Sequence, residues 1–103
     1  MGPNTALGHN SVVWMIECQV NYIIKIIHRM LERNFVSVDT NKNSFDEYQQ
    51  NISEYLSSKV WSRNYCNSWY QNENGTIFTL WPSSTLSYWK STLQPVWEHF
   101  IFS

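Results

Sequence analysis

Apolar side chains return every three or four residues through the first third of the chain, which is the spacing of one face of an α-helix. This pattern predicts a helix over residues 11–32. The positions at helical spacing are Val12, Ile16, Val20, Ile23, Ile27 and Leu31, and those that widen the stripe are Val13, Ile24 and Met30. A stripe of this width predicts a long helix that is buried on more than one side.

Two further elements are predicted before the middle of the chain. Residues 35–38 alternate apolar and polar side chains, which is typical of a short strand. Ser44 and Glu47 have the spacing of a capping box, so a second, amphipathic helix is predicted from residue 44 to about residue 61. Its apolar face consists of Phe45, Tyr48, Ile52, Tyr55, Leu56 and Val60.

The last third of the chain contains turn signals and short apolar runs. Residues 68–70 and 76–81 flank Asn74-Gly75, a dipeptide typical of a tight turn, and predict a short β-hairpin. Pro82 ends its second strand, and Ser83 or Ser84 is expected to cap a short helix that ends near residue 92. The tail, residues 96–103, is predicted to be irregular and anchored by aromatic side chains. Together these elements predict one compact α+β unit.

Composition narrows the classes of protein that the chain can represent. Apolar residues make up 43% and charged residues 15%, which is typical of a folded chain. The formal net charge of −1 provides no electrostatic footprint for nucleic acid. Cys18 and Cys66 do not have metal-ligand spacing, so no metal site is predicted. Glu17 and Lys25 interrupt the first apolar stretch and argue against a membrane span. We expect a cytoplasmic protein, or one associated with the cytosolic face of a membrane.

The first eleven residues form a loop rich in glycine, proline and asparagine that leads directly into the first predicted helix. Asn10 or Ser11 can cap that helix, whose first N–H groups have no intrahelical partner. Such a helix end can bind an anion or an electron-rich ring edge. Alternatively, the polar side chains of the loop simply satisfy its own backbone.

Three motifs follow one another in an order and spacing that resemble a known family. They are Gly2-Pro-Asn-Thr-x-Leu-Gly-His-Asn-Ser11, Cys66-Asn-Ser-Trp-Tyr70 and Leu80-Trp-Pro-Ser-Ser-Thr-Leu-Ser-Tyr-Trp-Lys90. The chain resembles, over nearly its whole length, the C-terminal part of the FAD-dependent flavin-containing and Baeyer–Villiger-like monooxygenases. It departs from their pattern at Ser83, where glycine is common, and after Trp89, where relatives are richer in arginine.

The resemblance implies a piece of an α/β flavoprotein that has two dinucleotide-binding domains. The implied parent enzyme uses FAD and NADPH. Its implied activity is the transfer of oxygen to a ketone or a soft heteroatom. Residues 1–32 would be the flavin-proximal loop and helix, and residues 33–103 a C-terminal cap, within a single fragment. The implied cofactor-binding residues, near the pyrimidine edge of the flavin, are Asn4, Thr5, Gly8, His9, Asn10 and Ser11.

The sequence lacks the glycine-rich motifs that bind the two dinucleotides. Its only glycines are Gly2, Gly8 and Gly75, so no G-x-G-x-x-G occurs. We therefore assign no catalytic residue, and we expect neither FAD nor NADP to bind tightly to the chain alone. The expected partners are the parent's N-terminal FAD and NADP domains, without which helix and hairpin faces would be exposed and solubility poor. Two alternatives stay open: a small non-enzymatic domain that binds a protein or a glycan, and a remnant that binds its full-length relative.

Overall fold

The structure is a computed structural model that describes residues 2–6, 11–58, 73–74, 76 and 79–103. Its longest element is helix α1, Val12–Glu32. These bounds confirm the predicted span of residues 11–32, and Ser11 caps the helix by accepting a hydrogen bond from the Trp14 N–H. Beyond the helix, Asn34 has a positive φ of 54° and turns the chain toward the first strand.

Helix α2, Lys42–Ser57, begins earlier than the capping box predicts. Its cap is Asn41, whose side chain accepts a hydrogen bond from the Asn43 N–H at 3.0 Å, so the assignment of the cap to Ser44 is wrong. Asparagine is as effective a cap as serine, and it stands three residues upstream. The predicted extension of this helix over residues 59–61 lies outside the described residues.

The described strands form one antiparallel pair that connects distant parts of the chain. Strand β1, Val38–Thr40, pairs with β2, Phe100–Phe102, with Asp39 opposite Ile101. The strand predicted at residues 35–38 is therefore shifted toward the C-terminus. The tail is not irregular as predicted, because a 3₁₀ turn, Trp97–His99, leads directly into β2.

The predicted hairpin lies largely outside the described residues. Of its second strand, the structure shows Leu80 in an isolated parallel bridge with Ala6. Leu80 also packs against Ile52 and Leu56 of α2, and these three side chains form a small buried cluster. The described end of the predicted strand is thus paired with the N-terminal segment.

Helix α3, Thr85–Thr92, begins at a cap formed by Ser84, one of the two residues, Ser83 and Ser84, that were predicted for this role. It packs on the N-terminal half of α1, where Tyr88 joins Met15 and Cys18 in a second buried cluster. The ring of Trp81 meets Tyr88 edge-on, with centroids 5.0 Å apart. These contacts hold α3, the turn before it and the start of α1 together.

The C-terminal half of α1 packs on the chain's end. The Arg29 guanidinium lies 4.3 Å from the ring centroid of Trp97 and 5.6 Å from that of Phe102. On the same helix, the ring centroid of Tyr22 lies 6.4 Å from that of Phe100. Aromatic and cation–π contacts therefore join β2 to α1.

The prediction that α1 is buried on more than one side is wrong for this chain. Only Met15 and Cys18 of the helix are buried, because α3 and the chain's end cover a single side of it. The exposed large apolar side chains of α1 are Val12, Val13, Ile16, Val20, Ile23, Ile24, Ile27 and Leu31. The expectation that the chain alone exposes a helix face agrees with this arrangement. Among the described residues, no helix has both the length and the apolar character needed to cross a membrane.

Candidate functional site

The N-terminal segment of the candidate site is tied to the residues that precede α3. Ala6 donates its N–H to the Thr79 carbonyl at 2.9 Å and accepts from the Trp81 N–H at 2.8 Å. Asn4 adds a third bond, because its side-chain Nδ2 donates to the Leu80 carbonyl at 3.1 Å. We call these three hydrogen bonds the N-terminal ladder.

Asn4 occupies an unusual position in this ladder. Its φ is 55°, in the left-handed region that asparagine tolerates better than most residues, and the residue is only 2% exposed. The amide therefore faces the interior and Leu80. Of the predicted cofactor-binding residues that the structure describes, Asn4 is the one that is buried within the chain itself.

Thr5 and Ser11 use their hydroxyl groups locally. Thr5 Oγ1 donates to the Gly2 carbonyl at 2.5 Å and closes the turn around Asn4. The Ser11 hydroxyl accepts from the Trp14 N–H at 3.4 Å. The other three predicted site residues, Gly8, His9 and Asn10, lie outside the described residues.

The N-terminus of α1 has the electrostatics of an anion-binding end. Its first turn contains no acidic residue, and Val12 and Val13 there are 46% and 67% exposed. The first N–H groups of a helix lack intrahelical acceptors and carry a partial positive charge. Ser11 takes up one of these N–H groups. The remainder of the first turn can bind an anion or a negatively charged ring edge.

A cleft of about 310 Å³ lies between α1 and α3, and the sequence patterns gave no sign of it. Trp14 and Trp89 contribute aromatic surface to its lining, and Glu17 and Lys25 contribute charges. The Lys25 ammonium also donates to the Leu93 carbonyl at the end of α3. Helical spacing indicates that Glu17 and Lys25 share a face, but only the packing of α3 could place Trp89 opposite them.

Tyr88 is the buried residue of α3 in its contact with α1. Burial raises its pKa above the ordinary value of 10.0, and the electrostatic influence of Cys18 and Tyr48 acts in the same direction. A side-chain hydrogen bond with Gln19 acts against this rise. Tyr88 therefore stays protonated at neutral pH and serves as a packing residue. Among the residues that the structure describes, no group of acidic, histidine or cysteine side chains could hold a metal ion.

Comparison with known proteins shows the family to which the chain belongs. The chain is 40% identical over 86 residues to a Baeyer–Villiger monooxygenase of Pseudomonas aeruginosa, a match that covers 82% of the chain and 16% of the relative. It is 33% identical over 104 residues to an FAD-binding monooxygenase of Aspergillus niger, which covers 97% of the chain and 17% of that relative. The chain belongs to the FAD-binding and Baeyer–Villiger monooxygenases. It corresponds to one segment of these much longer proteins.

A further relative is also much longer than the segment that this chain matches. A Baeyer–Villiger monooxygenase of Streptomyces coelicolor is 29% identical over 93 residues, which are 89% of the chain and 18% of that monooxygenase. The chain thus spans less than a fifth of the length of each of these three relatives. No family model matches the chain. No solved structure matches it either.

Proposed function

We propose that the chain is the C-terminal, flavin-proximal part of an FAD- and NADPH-dependent monooxygenase that transfers oxygen to a ketone or a soft heteroatom. The observation that carries this proposal is the match of most of the chain to a small part of FAD-binding and Baeyer–Villiger monooxygenases. The dinucleotide-binding motifs are absent from the sequence, so the parent's other domains would bind FAD and NADP.

The described residues fit the proposed place beside the flavin. The start of α1 is exposed and carries no carboxylate in its first turn, so nothing there would repel an electron-rich ring edge. Ser11 stabilises the helix end, and the N-terminal ladder holds the chain at Ala6, five residues earlier. The described residues that precede and follow Gly8, His9 and Asn10 in sequence are therefore both held by hydrogen bonds.

FAD, when bound, would supply the oxygen-transfer chemistry, and NADPH would supply the reducing equivalents. The role of this chain would be to orient the flavin and to shield it. The N–H groups at the start of α1 would stabilise negative charge on the ring edge, and the aromatic side chains around α3 would help to exclude water. No described residue is assigned a proton-transfer or nucleophilic role.

The exposed face of α1 supports the same proposal. Eight large apolar side chains of one helix are exposed to solvent, which is uncommon on the surface of a monomeric soluble protein. The parent's FAD and NADP domains, as the partners proposed here, would cover this face. Their contact would supply the burial that the width of the apolar stripe predicts.

The proposal can be tested with a chimera in which this chain replaces the homologous segment of the Pseudomonas aeruginosa relative. Val13→Glu places a carboxylate in the first turn of α1, and Val13→Gln is the matched neutral control. We expect the glutamate to lower the reduction potential of bound FAD relative to glutamine, because it opposes negative charge on the reduced ring. In the isolated chain the same glutamate should stabilise the helix instead, by about 0.3–1 kcal/mol.

Equal flavin potentials in the two chimeras would contradict the flavin-proximal position of α1. A folded chimera that takes up no FAD would contradict the proposed function as a whole. Substrate oxidation by the unsubstituted chimera, assayed with cyclic ketones and with thioethers, would identify which of the two acceptor classes it oxidises.

A further inference from the structure

We infer that Asn4 is a positioning residue, which fixes residues 2–6 in register with Leu80 and thereby with the start of α1, and does not itself contact the cofactor. Its side-chain amide and its backbone conformation together connect the start of the loop to the turn that precedes α3. The existence of this connection rests on the described geometry alone. Its effect on FAD rests on the function proposed above.

Two properties of asparagine are used at this position. The positive φ of 55° is strained for most side chains, whereas asparagine and glycine adopt it readily. The buried Nδ2 group donates to the carbonyl of Leu80, seventy-six residues away in sequence. Glycine would satisfy only the first requirement. Aspartate would satisfy only the first at neutral pH, since a carboxylate has no hydrogen to donate.

The connection continues from Leu80 to the start of α1. Trp81, the next residue, completes the ladder with Ala6 and packs its ring on Tyr88. The Trp81 indole N–H also donates to the carbonyl of Ser84, the residue that caps α3. Tyr88 in turn lies in one buried cluster with Met15 of α1.

These contacts form a chain that runs from Asn4 to the start of α1. Ala6 is held by the ladder, and Ser11 caps α1. The packing of α3 on α1 connects the two. Asn4 therefore positions residues 2–6 relative to the start of α1 through its hydrogen bond to a separate part of the chain.

Asn34 provides a matched control for the backbone. It has nearly the same positive φ, 54°, but it lies beyond the opposite end of α1 and is exposed. Asn4→Gly and Asn34→Gly therefore relax the same backbone conformation, whereas only the first removes the amide that donates to Leu80. Comparison of the two variants separates the hydrogen bond from the effect of φ.

The first test is amide hydrogen exchange of Ala6 and Trp81 in the full chain. We expect Asn4→Gly to lower the protection of both amides by about tenfold, the effect of losing one buried hydrogen bond, while Asn34→Gly leaves them unchanged. Asn4→Asp should lose protection at neutral pH and regain it in acid, because the protonated carboxyl can donate to Leu80. Native protection of both amides in Asn4→Gly would overturn the inference.

The second test uses the chimera described above. Asn4→Gly should weaken FAD binding and shift the flavin absorbance spectrum, while Asn34→Gly should do neither. Lost amide protection together with unchanged FAD binding and spectrum would overturn the positioning role. If the unsubstituted chimera binds no FAD, the proposed function fails, and the exchange data still decide whether Asn4 fixes the register with Leu80.

Discussion

Removal of the Tyr88 ring tests the contact that holds α3 on α1. Tyr88 is 3% exposed and packs with Met15, Cys18 and the edge of Trp81. Truncation of a buried aromatic residue to alanine costs about 3–5 kcal/mol. Trp81 is half-buried, so water can enter part of the space that the ring leaves, and we place the cost for Tyr88→Ala near the lower end, at about 3 kcal/mol.

Such a loss is large for a chain of this size, since domains are stable by only about 5–15 kcal/mol. With a urea slope of about 2 kcal/mol per molar, the unfolding midpoint should fall by about 1.5 M. Tryptophan fluorescence reports this transition. Tyr88→Phe keeps the ring and should cost about 1 kcal/mol. Leu86→Ala, at an exposed position of the same helix, should stay within about 0.5 kcal/mol. Equal midpoint shifts for Tyr88→Ala and Leu86→Ala would refute the described packing.

Three further predictions concern the Arg29 contact, the exposed face of α1 and the ionisation of Tyr88. Arg29→Met keeps a linear apolar stem but loses the cation over Trp97, so the free energy of unfolding in urea should fall by about 1 kcal/mol; unchanged stability would contradict the contact. The side chains of Ile23 and Ile27 lie on the exposed face of α1. The double substitution Ile23→Lys/Ile27→Lys should therefore reduce self-association of the isolated chain in sedimentation and reduce FAD uptake by the chimera. Unaltered FAD uptake would contradict domain contact at this face. Burial raises the pKa of Tyr88 above 10.0, so its contribution to stability is fully present below that pH and is lost as pH rises toward the folded-state pKa. Tyr88→Phe should therefore make the alkaline loss of unfolding free energy shallower in urea titrations. Equal dependence of stability on pH in the two proteins would contradict the assignment.

Helix ends were the features that local sequence signals predicted best. Ser11 and Ser84 stand immediately before apolar-periodic runs, and each caps the expected helix. The start of α2 was missed because two cap-forming residues lie three positions apart, and Asn41 provides the cap one turn before Ser44. A capping box is therefore insufficient to place a helix start when another good cap precedes it.

The strand pair could not be predicted because its signal is not local. Val38–Thr40 and Phe100–Phe102 are three residues each, too short for a period of two to stand out, and about sixty residues separate them. The same limitation applies to the N-terminal ladder. The sequence identified the motifs that begin at Gly2 and Leu80, but it did not predict that they pair in parallel.

The candidate site was predicted as a segment and not as a set of contacts. Of the two residues predicted to cap α1, Asn10 and Ser11, the structure shows Ser11 in this role. The interior position of Asn4 was not foreseen, because a short polar side chain in a glycine- and proline-rich loop gives no local sign of burial. The role of Gly8, His9 and Asn10 near the flavin stays a prediction.

The most direct test of the central claim is the ratio of FAD to protein in the purified chimera, measured by flavin absorbance after the chain replaces the homologous segment of the Pseudomonas aeruginosa monooxygenase. A flavin-proximal segment should restore one FAD per chimera. A chimera in which Ile23→Lys/Ile27→Lys disrupts the exposed face of α1 should retain much less. A folded, soluble chimera without FAD would contradict the claim that this chain completes a flavin-dependent monooxygenase.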